Sequence, residues 1–218
     1  MFKNINFEEV LTSFNETFLM TLVTSALVLV LGLLLGYALY KTEEKKMFIY
    51  KILNIFSSVA RSIPFIILII LLLPFTNVLF KFLFGSESRL LFNWQGAVPA
   101  LVISATPFYA RLVQSSLKEV SSGTKEMLLS VGASSKKSSL IIIGEAMPSL
   151  VSGFTTTVVT LIGFSSAAAI IGAGGLGDLA NRERNNIGVV IIATVLILIL
   201  VFAVQAIGDF LVKKIDKR

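Results

Sequence analysis

The chain has 218 residues, 55% of them hydrophobic and only 15% charged, with a formal net charge of +6 and neither cysteine nor histidine. So little charge excludes an ordinary soluble domain. The composition also excludes disulfides and thiolate metal sites, and it removes the commonest general base and metal ligand.

The charges are clustered: no Lys, Arg, Asp or Glu occurs within 17–40, 62–80, 90–110, 146–177 or 185–208. Roughly 20 apolar residues cross a bilayer as a helix. These runs therefore predict five spans, at about 17–40, 62–80, 90–114, 146–169 and 187–208. The fold class that follows is all-α: one polytopic membrane domain over residues 1–218. The first residues, Met1 to Glu16, hold Glu8, Glu9 and Glu16 with one lysine and do not read as a signal peptide.

Span one carries Gly32 and Gly36, and small residues four apart let two helices approach closely. Packing within the chain is favoured over a dimerisation seam. Glu43 and Glu44 follow in a basic segment and read as solvated. Span two begins near Arg61-Ser62-Ile63-Pro64 and ends at Pro74. Pro64 falls where its missing N–H is tolerated, and Arg61 is placed near the inner interface, where it can snorkel. Phe75, Phe80, Phe82, Phe84, Phe92 and Trp94 surround the next loop. They fit an interfacial belt or, alternatively, an aromatic core folded inward.

Span three carries Pro99 and then Thr106-Pro107-Phe108-Tyr109. Irregular backbone at membrane depth survives only where protein or a water-filled path covers it. This span is therefore expected to face the bundle interior, the alternative being a kink without a pathway role. Span four is polar, with Ser149, Ser152, Thr155, Thr156, Thr157, Thr160, Ser165 and Ser166. Its hydroxyls either line a route for a polar solute or bond back to their own helix. Gly172 to Gly177 satisfies G-x-G-x-x-G, yet a membrane helix precedes it where a nucleotide fold needs a strand, so a tightly packed turn is expected. Span five is rich in Ile, Val and Leu and reads as lipid-facing.

Orientation follows from the basic residues. Lys3, Lys81, Arg89, Arg182 and Arg184 lie in one alternating set of connections, and the other 14 of the 19 lie in the second. Cytoplasmic loops carry the Lys and Arg excess, which puts the N-terminus outside and the C-terminus inside. The net positive charge serves this orientation, and no nucleic-acid partner is expected. No P-loop is present, so the chain is not expected to hydrolyse ATP. A Ser-His-Asp set needs histidine, and the uncharged runs hold no carboxylate of the kind a proton-coupled carrier keeps at depth. No enzyme activity, metal or cofactor is expected.

The remaining feature is a cytoplasmic insert at about 118–140. Thr124 can cap a helix whose first turn holds Glu126. Met127, Leu128 and Val131 are neighbours at helical spacing. Gly132 suits the left-handed position that stops a helix, Ala133 follows it, and Ser134 or Ser135 can cap the next helix. A two-turn helix is marginal alone. It needs either a partner's groove or the lipid surface, and both remain open on spacing.

Glu126 and Gly132 resemble the E-A-A-x-x-x-G coupling signature of ABC importer permeases, with Met127 and Leu128 in place of the alanines. Further blocks are similar to methionine ABC importer permease subunits: Glu16 to Thr21, Arg61 to Leu68, Pro74-Phe75-Thr76, Pro107 to Arg111, Glu145 to Pro148 and Gly172 to Gly177. The resemblance implies a homodimeric permease in the bacterial inner membrane. It implies cytoplasmic ATP-binding subunits that bind the ATP, an external substrate-binding lipoprotein, and D- and L-methionine as cargo. It implies that Glu126, Met127, Leu128, Val131, Gly132 and Ala133 couple to the ATPase. Ser165, Ser166 and Ala167 fall where the family's gate lies, with Ser62 and Thr106 as further path-lining residues. Two alternatives stand beside it: a permease of the same superfamily for another amino acid or small peptide, and a channel or scaffold with no ATPase.

Overall fold

The structure, a computed structural model, describes residues 6–45, 47–85 and 93–216. Lys3, Arg89, Phe92 and the tail residues Lys217 and Arg218, used above for orientation and the aromatic belt, lie outside the described residues. The described residues form helices and no strands: α1 (Phe7–Lys45), α2 (Met47–Ser62), α3 (Phe65–Phe84), α4 (Trp94–Lys118), α5 (Ser122–Ser130), α6 (Ser135–Ala167), a 3-10 turn (Ala168–Ile171), α7 (Gly175–Arg182) and α8 (Ile187–Ile215). Five of these, α1, α3, α4, α6 and α8, are long and apolar enough to cross a membrane.

The start of α1 and the end of α3 have local causes. The Asn6 side chain accepts from the N–H groups of Glu8 and Glu9, and both glutamates sit in the first turn of α1, where the dipole favours anions. α3 ends at Gly85 in the left-handed region, φ 72°. Pro74 lies inside α3 rather than ending it, because surrounding packing and lipid leave the chain nowhere else to satisfy its backbone.

α4 is the axis of the bundle. Its apolar stretch is 61% buried, against 22–33% for the other four. The span with two internal prolines thus lies inside, as expected, and the Ser57 hydroxyl of α2 donates to the Pro107 carbonyl at 3.4 Å. α1 lies along α4 through the two glycines of span one. A Cβ on Gly32 would come within 2.6 Å of Tyr109 Cδ1, and one on Gly36 within 2.5 Å of Val113 Cβ. The small-residue pair therefore serves packing within the chain. Tyr109 in turn meets Phe154 of α6 edge-on at 5.4 Å and donates to the Leu150 carbonyl.

α8 is exposed along most of its length but not featureless. Ala193 and Gly208 are buried, and a side chain on Gly208 would collide with Thr155 of α6. Of the expected aromatic belt, Phe75 and Phe82 are exposed, whereas Phe80 is buried and Trp94 packs on the core. The loop aromatics thus split between the two arrangements.

α2 changes the picture of span two. Its residues were read as a basic connection, yet Met47–Ser62 is a continuous helix exposing Phe48, Ile52, Ile55, Phe56 and Val59. Tyr50 lies beside Arg111, Gln114 and Lys118 at one end of α4, and Ser57 reaches Pro107 near its middle. α2 therefore runs into the bundle antiparallel to α4 and hands over to α3 at Ile63-Pro64. A long apolar face on a helix whose single lysine, Lys51, lies near its start is what lets it enter.

Candidate functional site

Two short helices mark the ends of the bundle. At one end, α5 joins the last turn of α4 to the first of α6. The Ser121 hydroxyl accepts from the Thr124 N–H at 3.1 Å, so Ser121 caps the helix and Thr124 lies within it. The helix starts three residues earlier than the sequence pattern predicts, because serine is a stronger cap than threonine. Glu126 consequently sits past the first turn, on an exposed face. Gly132 takes the expected left-handed conformation, φ 63°, and the Ala133 N–H donates to the Leu128 carbonyl at 3.0 Å, closing a Schellman stop.

The apolar residues of α5 divide. Leu128 is buried in the chain's own core, in a cluster with Val120, Ile142 and Ala146, and Ala133 packs against that cluster. The expectation that Leu128 faces outward with its neighbours is therefore corrected: a residue one helical position from Met127 points about 100° away from it. Met127 is 53% exposed and Val131 71% exposed. α5 is thus pinned on one side by Leu128 and by a Thr124-to-Glu145 hydrogen bond of 3.4 Å, and presents Glu126, Met127 and Val131 on the other.

Behind α5 lies a polar lattice that the sequence reading missed. Glu43 accepts from Lys118 Nζ at 2.7 Å and from Gln114 Nε2 at 2.8 Å, and Arg111 donates to Gln114 Oε1 at 2.7 Å. Glu43 is therefore a tie between α1 and α4 rather than a solvated loop residue. The spacing of Arg111, Gln114 and Lys118 along one helix face was the available signal. Tyr37 and Ser139 add a 2.8 Å hydrogen bond between α1 and α6.

At the opposite end, α7 is built from the glycine run. Gly172, Gly174 and Gly175 all have positive φ. The Gly175 N–H donates to the Glu16 carboxylate at 2.7 Å, and the Leu176 N–H to the Thr17 hydroxyl at 2.8 Å. Side chains of α1 thus satisfy the first amides of α7. A Cβ on Gly177 would lie 2.5 Å from the Ser166 backbone. Arg182 bridges Asp178 at 2.8 Å and Glu9 at 2.9 Å. Partial burial lowers the proton affinity of Arg182, but Asp178 and then Glu9 outweigh it and hold it above the usual arginine value.

This geometry determines where the expected path and gate residues stand. Ser165 is buried and its hydroxyl donates to the Ile162 carbonyl, while Ser166 backs onto α7. Ala167 packs against the core cluster. Ser165 therefore faces the chain's own core rather than a surface, because the close contact of Gly177 turns that part of α6 inward. Thr106 lies inside with its hydroxyl unpartnered, and Ser62 is exposed where α2 ends. The five do not converge. The exposed polar face of α6 is instead formed by Ser152 and Thr156, with Gly163 above them, and Ser152, Thr155 and Thr156 share a cavity of about 420 Å³ with Gln205 and Asp209 of α8. The Thr155, Thr156 and Thr160 hydroxyls bond back to their own helix.

These features define a multi-pass, all-α membrane protein with a short, partly exposed helix at one end. Residues 28–218 match the model of the binding-protein-dependent transport system inner membrane component, and the chain belongs to that family. It is 47% identical over 187 residues to the methionine import system permease protein MetP of Bacillus subtilis, covering 83% of this chain and 78% of that one. It is 36% identical over 211 residues to the probable D-methionine transport system permease protein MetI of Pasteurella multocida, covering 93% and 94%. Its fold superposes on an inward-facing MetNI methionine ABC transporter with a TM-score of 0.86 at 32% identity, covering 95% of this chain and 96% of that one.

Proposed function

We propose that this chain is the membrane subunit of an ATP-driven importer whose cargo is D- and L-methionine. Two copies enclose the path, cytoplasmic ATP-binding subunits dock on α5, and an external binding lipoprotein delivers the substrate. The end bearing α5 is cytoplasmic, since Lys41, Arg111, Lys118, Lys136 and Lys137 gather there, and the N-terminus is outside. ATP is bound by the partner, and this chain needs no cofactor.

The observation that carries this reading is the two-sided construction of α5. One face is locked into the bundle through Leu128, and the other offers Glu126, Met127 and Val131 to a groove. A force applied to the outer face is passed directly to α4 and α6, which leave and enter α5 through connections of only a few residues. Closure of the ATPase pair then rocks the two copies between inward-open and outward-open states, with each short helix moving as a rigid ball in its socket. The polar face of α6 is the path wall, because exposed hydroxyls are costly against lipid and useful against a zwitterionic solute.

The test is uptake of labelled methionine by cells deleted for this chain and complemented with it, in a background lacking other methionine carriers. Restored uptake supports the assignment. Unchanged uptake in the deletion removes the cargo, and uptake of a different amino acid or peptide replaces it.

A further inference from the structure

The break between α2 and α3 places a cation deep in the bundle. Ser57 hydrogen-bonds Pro107 near the middle of α4, and Arg61 lies one turn beyond Ser57. At 1.5 Å per residue, Arg61 stands about 22 Å from the level of Lys118 and about 13 Å from that of Trp94. This is well inside an apolar core of about 30 Å. The expectation that Arg61 lies at the inner interface is therefore corrected, because the helix carrying it starts at Met47 rather than at Arg61 itself.

Three further facts narrow its role. Arg61 does not snorkel outward: its Nε turns back along α2 and donates to the Ser57 carbonyl at 3.3 Å. No carboxylate among the described residues forms an ion pair with it. It is also exposed, as is Ser62 beside it. The Phe65 and Phe164 rings stack at 4.7 Å, fixing the start of α3 against the upper part of α6. Thr160 lies one turn before Phe164, and Arg61 lies four residues before Phe65 across the α2–α3 break, so the cation approaches the level of the upper end of the hydroxyl face of α6. An unpaired charge at this depth faces a water-filled route rather than lipid.

We infer that Arg61 is the residue in the path that receives the carboxylate of the passing substrate. This rests on the importer reading above. Arginine suits the role because its planar fork matches a carboxylate in a bidentate manner and never loses its charge. Its side-chain amino groups remain available once Nε is engaged.

The chain has no cysteine, so Arg61→Cys supplies a single reactive thiol on it. The experiment uses the complete complex with its ATPase and binding protein, with the unsubstituted complex as the labelling control. Arg61→Cys is expected to lower methionine uptake about tenfold or more, the cost of one charge-assisted contact, while ATP hydrolysis stimulated by the binding protein stays within about twofold. The aminoethyl thiosulfonate reagent restores a cation and is expected to recover uptake. The sulfonatoethyl reagent adds an anion and is expected not to. Failure of either reagent to label the thiol overturns the inference, as does equal recovery, or equal lack of recovery, with both. Loss of ATP hydrolysis or of assembly together with uptake assigns Arg61 a structural role and also overturns it. Absence of methionine uptake by the unsubstituted complex is a separate result and strikes the cargo alone.

Discussion

The two short helices at the ends of the bundle use the same device to opposite ends. α5 and α7 each adjoin glycine in the left-handed region, yet Gly132 has open space around it while Gly177 has the Ser166 backbone against it. α7 is fastened at both ends: its first amides go to Glu16 and Thr17 of α1, its arginine to Glu9 of α1, and its leucines into the core. α5 is fastened on one side only. Glycine in this chain does two separable jobs: it turns the backbone at Gly132 and at Gly172, Gly174 and Gly175, and it removes a side chain at Gly177. A fixed end and a hinged end are what a bundle moved from one side requires.

The sharpest way to break this comparison is Gly132→Pro. Proline is held near φ −65° and the native position is φ 63°, so the stop of α5 is lost. Uptake in reconstituted vesicles is expected to vanish while the protein still inserts and ATP hydrolysis by the partner persists. Normal uptake would remove the coupling role from this end. Next comes Leu128→Ala, which opens a cavity at a buried site and is expected to cost about 2–5 kcal/mol, measured as a lowered unfolding temperature of the purified complex. Gly177→Ala tests the fixed end. Its new methyl meets backbone rather than a movable side chain, so a loss of about 1–3 kcal/mol is expected from overpacking, with ATPase docking unchanged. The smallest effect on stability belongs to Met127→Ala with Val131→Ala. Both residues are exposed, so the unfolding temperature of the membrane subunit alone should hold within about 0.5 kcal/mol, whereas affinity for the ATPase subunit, measured by co-purification, should fall. If the double variant destabilises the chain as much as Leu128→Ala does, α5 has no free face and the contrast with α7 fails.

Much of α5 was legible because its signals are local. A small polar cap, three apolar residues at helical spacing and a glycine are enough to predict a short helix with a left-handed stop. The sequence signal misplaced its start by preferring Thr124 to Ser121, three residues apart, of which the backbone takes the serine as its cap. The exposed polar face of α6 was much less legible. Ser165 and Ser166 look as suitable as Ser152 and Thr156 in the sequence, and only the contact of Gly177 with Ser166 turns the first pair inward. Glu43 read as a loop charge because its partners, Gln114 and Lys118, lie about 70 residues away.

The sequence by itself determined the five spans, the membrane class and the stop of α5. Each depends on summed hydrophobicity or on one residue's backbone freedom, and both are properties of neighbours along the chain. The tertiary structure alone decided that α4 is the axis, that α2 enters the bundle, and which side of each helix is buried. A helix offers several faces, and the one that meets protein is chosen by shape at long range: Gly36 against Val113, Gly177 against Ser166, Ser57 against Pro107. That choice also set Ser57 against Pro107 and left Arg61, one turn beyond it, on an exposed face at the end of α2.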